Sequence, residues 1–125
     1  MHPEYFRTRF RAARDAAAWP REFAIISAYA TTGESWPPSA NEAADRSLEA
    51  ELRAMRVWLA RVTGFSPRTG HAEPSWAVEV GPESSREIGR RYRQDAVYLV
   101  AGDALSCVLC HGPSEPVVVG PFRER

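Results

Sequence analysis

Phe23-Ala24-Ile25-Ile26-Ser27-Ala28-Tyr29 is the stretch on which the fold turns. It is short, apolar and partly β-branched, which predicts a strand. Residues 31–39, which follow it, hold Gly33, Pro37 and Pro38 and read as a loop. Ser39 and Glu42 then have the spacing of a capping box, in which each side chain satisfies a free N–H of a first helical turn. Ala44, Leu48, Leu52 and Met55 follow at helical spacing and make one buried stripe. Glu49 and Arg53 stand four apart and can pair on the surface.

Further along, residues 57–63 read as a second strand and residues 64–75 as a long loop holding Pro67, Gly70 and Pro74. Trp76-Ala77-Val78-Glu79-Val80 alternates, with Trp76, Val78 and Val80 on one face and Glu79 on the other. After a break at Gly81-Pro82, Ser84 and Glu87 form a second capping box. It opens a short helix to Arg93 whose apolar contacts are Ile88 and Tyr92. Residues 96–100 are a strand, Ala101-Gly102-Asp103-Ala104 a hairpin turn, and residues 105–110 the returning strand. Residues 117–119 make a last short strand or a tail. Upstream, residues 3–18 read as a helix with Phe6, Phe10, Ala13 and Ala17 on one face, or residues 5–10 read equally well as extended. Pro20 closes that segment.

From Phe23 onward the order is β-α-β-β-α-β plus a hairpin strand. It predicts an α+β, ferredoxin-like split βαβ sandwich: an antiparallel sheet with two helices on one face. The domain layout that follows is an N-terminal extension over residues 1–21, helical or extended, a single α+β domain over residues 22–111, and a C-terminal tail over residues 112–125 that offers a short edge strand.

Composition limits the function classes. The 125 residues carry 16 basic side chains, all Arg, against 16 acidic ones, for zero net charge. That balance argues against a strongly basic nucleic-acid binder and against a polyacidic tail. The zero is a sum of opposed patches: residues 34–51 carry −4, and residues 84–94 and 1–21 each carry +3. A hydrophobic content of 44% and an aromatic content of 10% fit a folded domain. No apolar run approaches the ~18 residues of a membrane span, and the N-terminus lacks the basic-then-apolar layout of a signal peptide. A cytoplasmic protein without a membrane segment is expected.

Cys107-Val108-Leu109-Cys110-His111 matches the haem-attachment string C-x-x-C-H. Residues three apart on a strand point to opposite faces, however, so the two Cys read as core thiols. Zinc held by Cys107, Cys110, His111 and a distant His71 lacks a second close Cys pair. No metal and no cofactor is expected. There is no G-x-S-x-G elbow for Ser75 with His71 or His111 as base, and no P-loop or Rossmann glycine string.

The element order brings Ser27, Tyr29, Asn41, His71, Glu73, Ser75, Gln94 and His111 to one edge of the sheet. From these, Tyr29, Asn41, Glu73, Ser75 and Gln94 are the candidate ligand-binding residues for a small polar ligand. The plain reading of the same residues is that they cap turns and satisfy buried backbone groups. Two other classes stand beside ligand binding. A small enzyme would use Glu73 as general base. A nucleic-acid binder would use Arg86, Arg90 and Arg93 beside exposed aromatics such as Tyr29, whereas Trp76 shares its face with Val78 and Val80 and points to the core. The opposed charge patches also suit a protein partner or a homodimer. A binding or interaction module is preferred over an enzyme.

The same polar positions carry a resemblance. Ser27-Ala28-Tyr29 at a strand end, Asn41-Glu42 at a helix start, Glu73-Pro74-Ser75 before a strand, and Gln94-Asp95-Ala96 after a helix resemble a small bacterial family known only as a domain of unknown function. The resemblance covers about residues 23–110. Members of that family commonly have Asn-Pro after the aromatic residue, where this chain has Ala30-Thr31. The resemblance implies no activity.

Overall fold

The computed structural model describes residues 3–12, 19–30 and 35–122. Residues 3–6 form a single 3-10 turn, followed by β1 (Arg9–Ala12), β2 (Glu22–Ile26), α1 (Pro38–Ala54), β3 (Leu59–Phe65), β4 (Ala72–Val78), α2 (Pro82–Arg91), β5 (Ala96–Ala101), β6 (Ala104–Leu109) and β7 (Val117–Pro121). Of residues 5–10, read equally well as extended, only Arg9 and Phe10 fall in β1, while Tyr5 and Phe6 belong to the 3-10 turn; residues 13–18 of the alternative helix lie outside the described residues.

Both helices start on proline rather than on the expected capping boxes. Pro37 and Gly81 occupy the N-cap positions, and neither start has a side-chain cap hydrogen bond. Pro38 and Pro82 stand at the first helical position, where a backbone N–H would have no helical partner, and the ring fixes φ near its helical value. Leu48 and Leu52 form the buried stripe of α1, but Met55 falls past the helix end and stays 40% exposed. Glu49 and Arg53 do pair, at 2.8 Å.

The expected long loop before Trp76 is mostly strand. β3 and β4 pair without interruption from Leu59–Val78 to Phe65–Ala72. Ser66 N–H to the His71 carbonyl (2.8 Å) and Gly70 N–H to the Ser66 carbonyl (2.9 Å) close the short turn between them. Pro74 is tolerated in β4 because the ladder between β2 and β4 has already stopped at Ile26–Trp76. The β5–β6 hairpin turns at Gly102, whose φ of 62° places it in the left-handed region open to glycine.

All strand pairs are antiparallel, and the seven strands form one sheet in the order β1-β3-β4-β2-β5-β6-β7. Phe10 of β1 and Tyr98 of β5 stand four strands apart in that order. In a flat sheet they would be about 19 Å apart. Their ring centroids are 5.0 Å apart, and Phe10 also lies 6.1 Å from Phe122, just beyond β7. The sheet therefore curls into a half-barrel.

This overturns the expected α+β ferredoxin-like sandwich. In that fold only the helix-covered face of the sheet builds a core. Here β1, β6 and β7 widen the sheet, and both faces are packed. On the helix face, Ala24, Ile26, Trp76, Val78, Val97 and Val108 meet Leu48 and Leu52 of α1 and Ile88 of α2. On the concave face, Phe10, Phe23, Ile25, Val62, Ala77, Val100 and Leu105 form a second core, closed by Trp19, Trp58 and Phe122. β2 supplies both, which is why Phe23 to Ile26 are all buried and read as an unbroken apolar run.

Candidate functional site

Strand alternation decides where the polar groups go. Along β2 the concave face carries Phe23 and Ile25, and the next residue of that phase is Ser27. Along β4, which runs the other way, the same face carries Ala77, then Ser75 and Glu73. The concave face is thus apolar at one end and polar at the other. A cavity of about 480 Å³ opens at the polar end. Ile25 and Phe10 line it from the apolar core, and Tyr29, Trp36, Phe65 and Tyr98 add aromatic walls.

Glu73 is the acidic residue of that lining among the described residues. The Ser27 hydroxyl donates to its Oε1 at 2.6 Å, and the same Oγ lies 3.3 Å from the Pro74 carbonyl. Burial pushes the Glu73 carboxyl above its usual value; the Ser27 hydrogen bond and the nearby charge of His71 pull it part of the way back. Burial likewise raises the Tyr98 phenol. Its hydroxyl donates to the Tyr5 carbonyl at 2.8 Å, tying the N-terminal turn over the cavity wall.

The structure brings all five candidate residues, Tyr29, Asn41, Glu73, Ser75 and Gln94, to this one cavity, together with Ser27 and His71. His111, expected at the same edge, does not line it. Several of the five brace the backbone. Asn41 Oδ1 accepts from Ala30 N–H at 2.9 Å. Gln94 Nε2 donates to the carbonyls of Tyr29 (2.8 Å) and Tyr92 (3.1 Å). Ser75 Oγ donates to the Glu73 carbonyl at 3.3 Å, and Tyr29 N–H donates to Ser27 Oγ at 3.0 Å. These bonds fix the turn after β2 against α1 and α2, so the site rests on the fold's own layers.

Sequence reasoning missed Thr8, Phe10 and Tyr98 as lining residues. The alternation Thr8-Arg9-Phe10-Arg11 was a strand signal in a segment that also fitted a helix. Tyr98 was hidden inside an apolar strand whose second face had no assigned partner.

The arginines named for nucleic acid are placed differently from one another. Arg86 is only 8% exposed; it donates to the Leu109 carbonyl (2.8 Å), to Glu83 (2.9 Å) and to the Gly112 carbonyl. Arg90 donates to the Cys110 carbonyl. Arg93 is exposed. Trp76 sits in the helix-face core, its indole N–H donating to Asp45 at 3.2 Å. Cys107 and Cys110 are free, buried thiols, and burial pushes them up to about 12 and about 11, so neither is a reactive thiolate. Among the described residues no group of three or more His, Cys, Asp or Glu is placed to hold a metal ion, and no helix is long and apolar enough to cross a membrane.

Fold and site together define a curled antiparallel β-sheet domain with two helices on its convex face and a polar-mouthed cavity in its concave one. The chain matches the family described as "Protein of unknown function (DUF3293)" over residues 26–97, more than half its length, and it belongs to that family. The matched span contains Ser27, Tyr29, Asn41, Glu73, Ser75 and Gln94; Phe10 and Tyr98 lie outside it. No curated protein and no solved structure matches the chain.

Proposed function

We propose that the protein binds a small polar ligand in the cavity of the concave face, with Glu73 as the anchoring group. The observation that carries this reading is the half-buried Glu73–Ser27 pair in the wall of a cavity of about 480 Å³. A desolvated carboxyl is held there at a cost in stability, and a ligand that bonds to it offsets that cost. The volume lies in the usual range for small-molecule sites, and a mainly apolar lining with a few convergent polar groups is their usual composition. Cytoplasmic residence belongs to the same proposal, and the two free thiols fit a reducing compartment.

The test is a thermal-shift screen of metabolites, metals and RNA, run in parallel on the wild type and on Ala96→Phe, which fills the cavity from β5. A cavity ligand raises the melting temperature of the wild type and not of the variant. A hit that stabilises both alike, or a screen with no hit, sinks the reading.

The raised pKa of Glu73 favours a second reading, in which this carboxyl exchanges a proton with the ligand as a general base. Mass analysis of each hit after incubation separates the two. A product formed by the wild type and not by Glu73→Gln supports catalysis; an unchanged ligand supports binding alone.

A further inference from the structure

We infer that the ligand is a small organic cation, a protonated amine carried on an apolar or aromatic body. This inference rests on the ligand-binding reading of the cavity and names the chemical class that fits it.

Three features of the lining point the same way. First, its charge is one-sided. Glu73 supplies a carboxylate, and none of the described arginines lines the cavity, although all 16 basic residues of this chain are Arg. Arg61 is paired with Asp45 through two hydrogen bonds on the helix face, Arg90 is bonded to the Cys110 carbonyl, and Arg11 lies over the ring of the lining residue Phe65. An anionic ligand would meet a half-buried carboxylate with no arginine among the described lining residues to offset it, and like charges at short range in a poorly solvated site repel strongly.

Second, the walls are aromatic. Tyr5, Phe10, Tyr29, Trp36, Phe65 and Tyr98 all contribute. The negative faces of such rings attract a cation, more strongly when water is excluded. Phe65 already holds one cation, the Arg11 guanidinium at 4.7 Å from its centroid.

Third, the remaining polar groups are suited to an N–H donor. The Ser27 hydroxyl fills one acceptor position of Glu73, and a carboxylate has roughly four. A bound ammonium donates to the others and restores the ionised form that burial disfavours. The groups facing Glu73 are Ser27 from β2's end, His71 from the β3–β4 turn and Tyr98 from β5. Binding weakens toward acid, because Glu73 then gains a proton and loses the charge that an ammonium would meet.

The experiment compares three probes of one shape on the full chain: 2-phenylethylamine, 2-phenylethanol and phenylacetate. Amide shifts of Ser27, Glu73 and Tyr98 are followed by NMR at pH 8, and the series is repeated on Glu73→Gln. The amine should bind at least about tenfold tighter than the alcohol, as expected when a charge-assisted hydrogen bond replaces a neutral one. In Glu73→Gln the preference should shrink to about twofold or less, and Glu73→Asp should restore part of it. Alcohol or phenylacetate binding as tightly as the amine at the same resonances overturns the cation inference while the cavity reading stands. No movement of those resonances with any of the three also overturns it, and the broad screen then decides the cavity reading separately.

Discussion

Ser27 Oγ donates a 2.6 Å hydrogen bond to Glu73 Oε1 across 46 positions of sequence. The β2–β4 ladder ends one residue earlier, at Ile26–Trp76. Where backbone pairing stops, this side-chain pair takes over the join between the two strands, and it does so on the concave face, inside the cavity wall. One contact thus joins the two strands and pulls the Glu73 pKa down against the larger effect of burial.

Ser27→Ala tests that coupling. The hydroxyl lowers the Glu73 pKa against the larger effect of burial. Its loss should move the Glu73 midpoint upward, read from the side-chain carboxyl shift in an NMR titration. The variant should also lose about 1 kcal/mol of stability, the usual worth of one buried hydrogen bond. A midpoint that stays put or falls contradicts the assignment.

Glu73→Gln should reveal what the carboxylate costs the fold. Glu73 has a folded pKa above its ordinary value of 4.5. For an acid shifted this way, the protonated form suits the folded state. Its favourable contribution is complete below the unfolded pKa and is lost as pH rises through the folded one. Gln lacks that dependence and still accepts from Ser27. At pH 8 the variant should be more stable than the wild type by about 1 kcal/mol, a common gain when a functional group held against its preference is replaced. At pH 4 the difference should close. Urea unfolding at the two pH values measures it, and a variant less stable at pH 8 than at pH 4, relative to wild type, would reverse the sign.

How much of this was legible in the sequence depends on which face a residue serves. The helix-face core was readable: Leu48 and Leu52 follow helical spacing, and Trp76 and Val78 alternate. The concave core was not, because its members come from both ends of the chain, with Phe10 before β2 and Leu105 and Phe122 after β5. No local period announces that a sheet will curl until Phe10 reaches Tyr98. Hence the fold expected was a sandwich with an open face. The site was more legible than the fold around it. Tyr29, Asn41, Glu73, Ser75 and Gln94 lie close to the same end of elements whose directions the β-α-β-β-α-β order already fixes, and added strands at the sheet's flanks do not alter those directions. The capping boxes failed for a local reason, since Pro38 and Pro82 begin the helices earlier.

Asn41→Ala should loosen the turn that frames the cavity. Its Oδ1 takes the Ala30 N–H, and Gln94 holds the adjoining Tyr29 carbonyl. Removing the acceptor leaves that amide without it at a cost of about 1–2 kcal/mol. Hydrogen exchange should accelerate at Ala30 by about tenfold or more, while amides in β5 and β6 keep their protection. Exchange that speeds up equally everywhere would mean global destabilisation instead.

Gly89→Ala connects core packing to the site. α2 lies so close to the sheet that a Cβ at position 89 would come within 2.6 Å of Cys110 Sγ and 2.9 Å of Val97 Cγ1. Both neighbours are fully enclosed, at 0% and 1% exposure, and neither can step aside. Alanine gains about 1 kcal/mol of helix propensity over glycine. Overpacking costs about 1–3 kcal/mol. With two close contacts to enclosed groups the clash should win, for a net loss of up to about 2 kcal/mol in urea unfolding. The loss should reach the cavity, because the Gly89 carbonyl accepts from Gln94 N–H at 2.9 Å, and Gln94 holds the Tyr29 carbonyl. A double-mutant cycle isolates the cause. In a Cys110→Ala background the sulfur is gone and only the Val97 methyl remains in the way, so adding Gly89→Ala should cost less than it does in the wild type. Strictly additive costs would show that the glycine is required for something other than this close approach.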